Sequence, residues 1–199
     1  MISIENTIKE IRQLFENQGD SQYFGENVSQ FEHAAQAYLL AKKQGFDEDV
    51  RIAAFLHDIG HLFPADLEEE LMEEFGRKNH ETIASNWLKA RGFSSKICIL
   101  IENHVNAKRY LCYKNPQYYS NLSEASKQTL IFQGGMMAKT EAQRFEKNPL
   151  FEIIIKMRTW DEAAKVENRQ LPDLQYFTDI IQSNLEKNKL QNSPHEIFY

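Results

Sequence analysis

The pair His57-Asp58, inside Phe55-Leu56-His57-Asp58-Ile59-Gly60-His61, constrains this chain more than any other feature. An imidazole next to a carboxylate offers a nitrogen ligand together with an oxygen pair that can bridge two ions. With His33, His80, His104 and Asp161 it gives the order His, His-Asp, His, His, Asp. A one-metal site needs only His33, the pair and Asp161. His80 and His104 are what a second ion requires. For these groups to meet, segments far apart in sequence must converge on one point, and the fold must be of a kind that allows it.

Apolar spacing says which kind. Ile8, Ile11, Leu14 and Phe15 fall on one face of a helix over Ile4–Phe15. The same reading predicts a second helix from about Asn27 to Lys43, closed by Gly45, with His33 in its middle. Asp47-Glu48-Asp49 opens a third, which runs to about His61, is loosened at its end by Gly60 and is stopped by Pro64. Further helices are expected over His80–Ala90 with Asn79 as cap, from Phe93-Ser94 to His104, and over Ser123–Phe132, Leu150–Val166 and Asp173–Leu185. Residues 65–78 read as a charged loop or short helix, and Lys108–Tyr119 as short helix and loop around Asn115-Pro116. Gly134-Gly135 reads as a break. No stretch alternates as a half-buried strand would. The expected fold class is all-α, a single helical bundle over residues 1–190 with a dinuclear site in its core and a polar tail over 191–199, where His195 is left out of the ligand set.

Composition removes some function classes. Across 199 residues the formal charge is −6, so a basic face for nucleic acid is not expected. Local cations can still hold a small anion. Cys98 and Cys112 are too few for a disulfide framework and read as reduced thiols of a cytoplasmic protein. No apolar run has membrane-spanning length and no signal peptide is evident, so no membrane partner is expected.

The ligand chemistry narrows the metal. Four imidazoles and two carboxylates are nitrogen-rich, unlike the oxygen sets of Mg²⁺ or Ca²⁺, and no thiolates sit at structural-zinc spacing. Iron fits first, and manganese or another first-row divalent ion next. His61, Lys108 and Arg158 each lie about a helical turn from a ligand, a spacing that sets a cation beside the metals to hold an anionic oxygen donor. Ser126 and Thr129 share one face of a helix and add hydroxyls, and Gln133 with Gly134-Gly135 is expected to line the same pocket.

The pattern His33, His57-Asp58, Asp161 is similar to that of the HD-domain superfamily, and the added His80 and His104 resemble its dinuclear branch. That branch holds phosphohydrolases and a small set of mixed-valence di-iron oxygenases. Tyr23-Phe24-Gly25-Glu26, just before the first ligand helix, resembles the PhnZ/TmpB-type oxygenases that cleave 1-hydroxyphosphonates. The resemblance implies an HD-type bundle holding two iron ions as Fe(II)/Fe(III), with O2 as co-substrate. It implies that Tyr23 occupies an iron position at rest and that Glu26 meets the substrate as the loop rearranges. It also implies that His61, Lys108, Ser126, Thr129, Gln133 and Arg158 bind the phosphonate.

The leading expectation is thus an iron oxygenase of phosphonate catabolism acting on a small organophosphonate. The family's precedent is (R)-2-amino-1-hydroxyethylphosphonate, converted to glycine and phosphate, with an α-hydroxylase acting upstream. A trimethylammonium analogue would need an aromatic or acidic pocket, for which Tyr38, Tyr110, Tyr113 and the phenylalanines are available. The alternatives are a metal-dependent phosphohydrolase of phosphomonoesters or nucleotides and a non-catalytic regulatory module of the same fold.

Overall fold

A computed structural model describes residues 2–64 and 71–192, so His195 and part of the 65–78 segment lie outside the described residues. Ten α-helices fill those residues, and no strand appears among them beyond two isolated bridges, Gln22 with Ser29 and Leu71 with Arg77. The helices are α1 (Ile4–Gln18), α2 (Gln30–Lys43), α3 (Glu48–Leu56), α4 (His80–Lys89), α5 (Ser95–Lys114), α6 (Pro116–Asn121), α7 (Glu124–Phe132), α8 (Lys139–Phe145), α9 (Phe151–Ala163) and α10 (Leu174–Asn192).

Short polar side chains set most starts. Ser29 and Glu32 form a reciprocal capping box on α2, Asp47 accepts from the Val50 N–H, and Ser94 accepts from the Ile97 N–H. At the end of α2, Gly45 has φ +78, and Gly45 and Phe46 donate back to Lys42 and Ala41. That is the paired closure a left-handed glycine permits.

The short α3 is the centre of the bundle and packs against α2, α5 and α9. Its Ile52, Ala53, Ala54, Phe55 and Leu56 are all buried, and the Phe55 ring stacks on Phe177 of α10 at 4.5 Å between centroids. α1 and α10 pack on each other, and both also touch the central layer. The helices that carry the other expected ligands, α2, α4, α5 and α9, therefore surround the end of α3, where His57-Asp58 sits.

The structure departs from the sequence reading at several points. The helix expected to end at His104 continues to Lys114, because nothing between them breaks it; Asn115-Pro116 does, by starting α6. The helix expected to close at Leu185 runs to Asn192. Asn79 precedes α4 but caps nothing with its side chain; it sits in the left-handed region at φ +54, which asparagine tolerates. α8 was not anticipated. The third helix stops at Leu56, and Ile59–Leu62 form a 3₁₀ turn. Gly60 does not loosen that turn. A Cβ there would collide with the main-chain carbonyl of His80, so the bare glycine is what lets the turn dock on the start of α4.

Candidate metal centre

Each of the four expected histidine ligands has its ring fixed from behind. The Nδ1 atoms of His33, His57, His80 and His104 face the carbonyl oxygens of Ala164 (3.0 Å), Ala54 (2.9 Å), Arg77 (3.2 Å) and Ile101 (2.7 Å). A carbonyl can only accept, so each Nδ1 carries the proton and each Nε2 turns a lone pair inward. This is the backing that metal-ligating imidazoles ordinarily have.

The inward atoms fall into two sets. His33 Nε2 and His57 Nε2 stand 3.2 Å apart, with Asp58 Oδ2 at 3.6 and 3.2 Å and Asp161 Oδ1 at 3.4 and 3.9 Å from them. His80 Nε2 and His104 Nε2 stand 3.1 Å apart, each 3.3 Å from Asp58 Oδ1. Asp58 thus gives one oxygen to each set. Two lone pairs meeting at such distances repel unless a proton or a metal ion lies between them, and the nitrogen and oxygen donors of either set fit a metal of the first-row transition type.

Charge agrees with the geometry. Burial works against the carboxylates of Asp58 and Asp161, yet His57 beside the first and Arg158 beside the second hold both well below the usual range. Burial lowers His57 too, but Asp58 and then Asp161 outweigh it and lift its pKa to about 9. In the protein without ions a proton on His57 offsets the carboxylates, and a metal would displace it.

Tyr23 stacks on His33 at 3.8 Å between centroids, and its hydroxyl donates to Asp58 Oδ2 at 3.0 Å. Burial first, and Asp58 next, keep it a neutral phenol. His61 stacks on His80 at 3.7 Å and lies near enough to Asp58 and His80 to be grouped with them as a ligand. Its hydrogen bonding assigns another role. Nδ1 accepts from the Arg77 N–H at 3.0 Å, so the proton sits on Nε2. Burial, with His80 beside it, also holds the ring well below its usual pKa. His61 is a neutral donor, not the cation its spacing suggested.

The two sets open into one cavity of about 50 Å³, lined also by Lys108, Ser126, Thr129, Gln133 and Arg158. Lys108, only 4% exposed, donates to Thr129 Oγ1 at 2.8 Å, and burial and the neighbouring Arg158 push its pKa down to about 7. Arg158 pairs with Asp161 and gives Nε to Tyr118 (3.0 Å) and Glu162 (2.9 Å). Gln133 Oε1 is buried without a hydrogen-bond partner. Gly134 and Gly135 do not line the cavity; the Gly135 carbonyl accepts from Arg109. Its aromatic walls are Tyr23, Phe24 and Phe75, while Tyr38, Tyr110 and Tyr113 lie elsewhere.

Spacing did not flag three residues at the site: Lys165 lines the cavity, while Glu162 and Tyr118 brace Arg158 from outside it. Glu162, one turn after Arg158, could have been read from the helix; Tyr118 and Lys165 carried no signal. Lys165 pairs with Glu26 at 2.6 Å.

The HD domain family model matches residues 30–156. The chain belongs to the HD domain family. Asp161, at the centre of the site, lies beyond the matched stretch, as do α1 and α10. Among curated relatives, [1-hydroxy-2-(trimethylamino)ethyl]phosphonate dioxygenase (glycine-betaine-forming) of Leisingera caerulea is 37% identical over 92% of this chain and 92% of its own. Hydroxymethylphosphonate dioxygenase of Gimesia maris is 38% identical over 87% of this chain and 86% of its own. An uncharacterized protein of Acanthamoeba polyphaga mimivirus is 41% identical over 91% of this chain and 83% of its own. No helix among the described residues is long and apolar enough to cross a membrane.

Proposed function

We propose that this HD protein is a di-iron oxygenase that uses O2 to cleave the carbon–phosphorus bond of a small 1-hydroxyphosphonate, giving a carboxylate and inorganic phosphate. The observation that carries this reading is the division of Asp58 between two histidine sets at the wall of a cavity that also holds Lys108 and Arg158. The two dioxygenase relatives favour oxygenation over the hydrolysis that the same metal set could perform.

In this reading His33, His57, Asp58 and Asp161 hold one iron, and His80, His104 and the second Asp58 oxygen hold the other. When bound, the Fe(II)/Fe(III) pair would activate O2, whose four-electron reduction is balanced by oxidation of C1 to a carboxylate. The chain supplies position and charge. Lys108, set by Thr129, and Arg158, braced by Glu162 and Tyr118, bind the phosphonate oxygens. The His61 Nε2–H and the Ser126 hydroxyl add neutral donors. Gln133 Oε1, which has no partner of its own, accepts from a protonated oxygen of the substrate. Tyr23 leaves Asp58 when the substrate arrives, and the loop carrying Glu26 moves with it. A hydroxyl on C1 implies that an α-hydroxylase makes the substrate.

The test is O2 uptake by Fe(II)-reconstituted protein given (R)-2-amino-1-hydroxyethylphosphonate or hydroxymethylphosphonate, with phosphate and carboxylate assayed alongside. Uptake matching both products is expected. Phosphate release from phosphomonoesters under argon, without uptake, would overturn the proposal.

A further inference from the structure

One carboxylate of the cavity wall, on the loop before α2, is already paired with a lysine. Glu26 Oε1 lies 2.6 Å from Lys165 Nζ, with the two side chains 21% and 19% exposed. The pair joins the Tyr23–Glu26 loop to the chain leaving α9, and Lys165 also lies 5.8 Å over the Tyr23 ring. It lines both the metal cavity and an adjoining pocket of about 320 Å³, with Ser126 the other residue common to the two. A substituent on C1 that extends from the inner cavity towards this pocket meets the pair.

Lys165 is not a casual surface lysine. The preceding carbonyl, Ala164 O, is held by His33 Nδ1 at 3.0 Å. The following residue, Val166, is clamped at both its N–H (3.1 Å) and its carbonyl (3.0 Å) by Gln36, itself fully buried on α2. The backbone on either side of Lys165 is therefore tied to the helix that carries His33. Glu162, an acid lining only the adjoining pocket, is engaged by Arg158 and Tyr118 and does not compete with Glu26 for Lys165.

We infer that Lys165 sets substrate charge: by neutralising Glu26 it turns the site away from phosphonates bearing an ammonium group and towards those with an uncharged substituent on C1. This rests on the 1-hydroxyphosphonate reading. Glu26 alone would suit a primary ammonium. With Lys165 in place, an arriving ammonium either shares one carboxylate with a second cation or displaces a lysine from its pair, and in a partly buried wall both cost free energy. An uncharged substituent meets neither cost. Hydroxymethylphosphonate, which has no substituent at all, is the smallest member of the favoured class.

The experiment is titration calorimetry of the metal-loaded protein without O2, using two ligands of equal shape. (1-Hydroxypropyl)phosphonate ends in a methyl group where (2-amino-1-hydroxyethyl)phosphonate ends in an ammonium. The native protein should bind the uncharged ligand about tenfold more tightly. Lys165→Met frees Glu26 and should reverse that preference, with Lys165→Gln as a second variant and melting curves to check folding. Glu26→Gln should leave the ammonium ligand disfavoured. Equal affinities in the native protein, or a Lys165→Met change that moves both ligands by one factor, would overturn the inference. Intact discrimination without O2 uptake would overturn only the oxygenase reading, and a protein binding neither ligand would overturn both.

Discussion

Lys108 shows what a single residue of this cavity is built to meet. Its ammonium is buried, has one hydrogen bond to Thr129, and feels the Arg158 guanidinium more strongly than the carboxylates of Asp161 and Asp58. Such a group gains its missing partner only when an anion enters. A charged hydrogen bond of this type contributes roughly 1.5–3 kcal/mol, so Lys108→Met should raise KM for the phosphonate about 10- to 100-fold. Metal content should not change, because Lys108 touches no proposed ligand, whereas Arg158→Ala would also strip Asp161 of its ion pair. Steady-state O2 uptake with metal analysis on the same samples checks this, and an unaltered KM would remove Lys108 from the binding site. At this scale the six proposed ligands were legible because residue type and order alone mark them. The charge of His61 was not, since it depends on an N–H from Arg77 that no spacing rule reveals. Lys165 was illegible for a similar reason: its partner lies across the fold.

The element that decides the site is the turn after α3. Asp58 can share its oxygens between two histidine sets only if the turn carrying it lies against the first residue of α4. Gly60 permits that approach, because a Cβ would overlap the His80 carbonyl. The neighbouring backbone belongs to a proposed ligand, so it cannot yield without moving that imidazole. Gly60→Ala should therefore cost about 1–3 kcal/mol of stability and, more tellingly, should deplete the metal held by His80 and His104. Thermal melts and metal stoichiometry would measure the two effects. A variant that melts and loads as the native protein does would show that the turn is not closely docked. Helix existence was legible throughout this region from apolar period and capping residues. The turn was not, because a helix and a 3₁₀ continuation present the same apolar residues over so few positions.

Across the whole molecule, the proposed ligands come from α2, the turn after α3, α4, α5 and α9, so the centre is where nearly every layer meets. Without ions those helices bring imidazole nitrogens within 3.1 and 3.2 Å of each other and depend on protons to offset two buried carboxylates. A metal replaces that unfavourable meeting with bonds that tie the helices together. Free metal at about 100 to 1,000 times its dissociation constant contributes about 2.7–4.1 kcal/mol to the folded state, which for a chain of 199 residues corresponds to roughly 10 °C in Tm. Calorimetric melts of the iron-loaded protein and of protein stripped with a chelator should differ by about that much, and returning the metal should restore the higher value. His104→Ala, which removes a donor from one set only, should lose part of the difference and close to half the bound metal. Identical melts before and after chelation would mean that these histidines and carboxylates are held by protons alone, and the case for a metalloenzyme would fall with them.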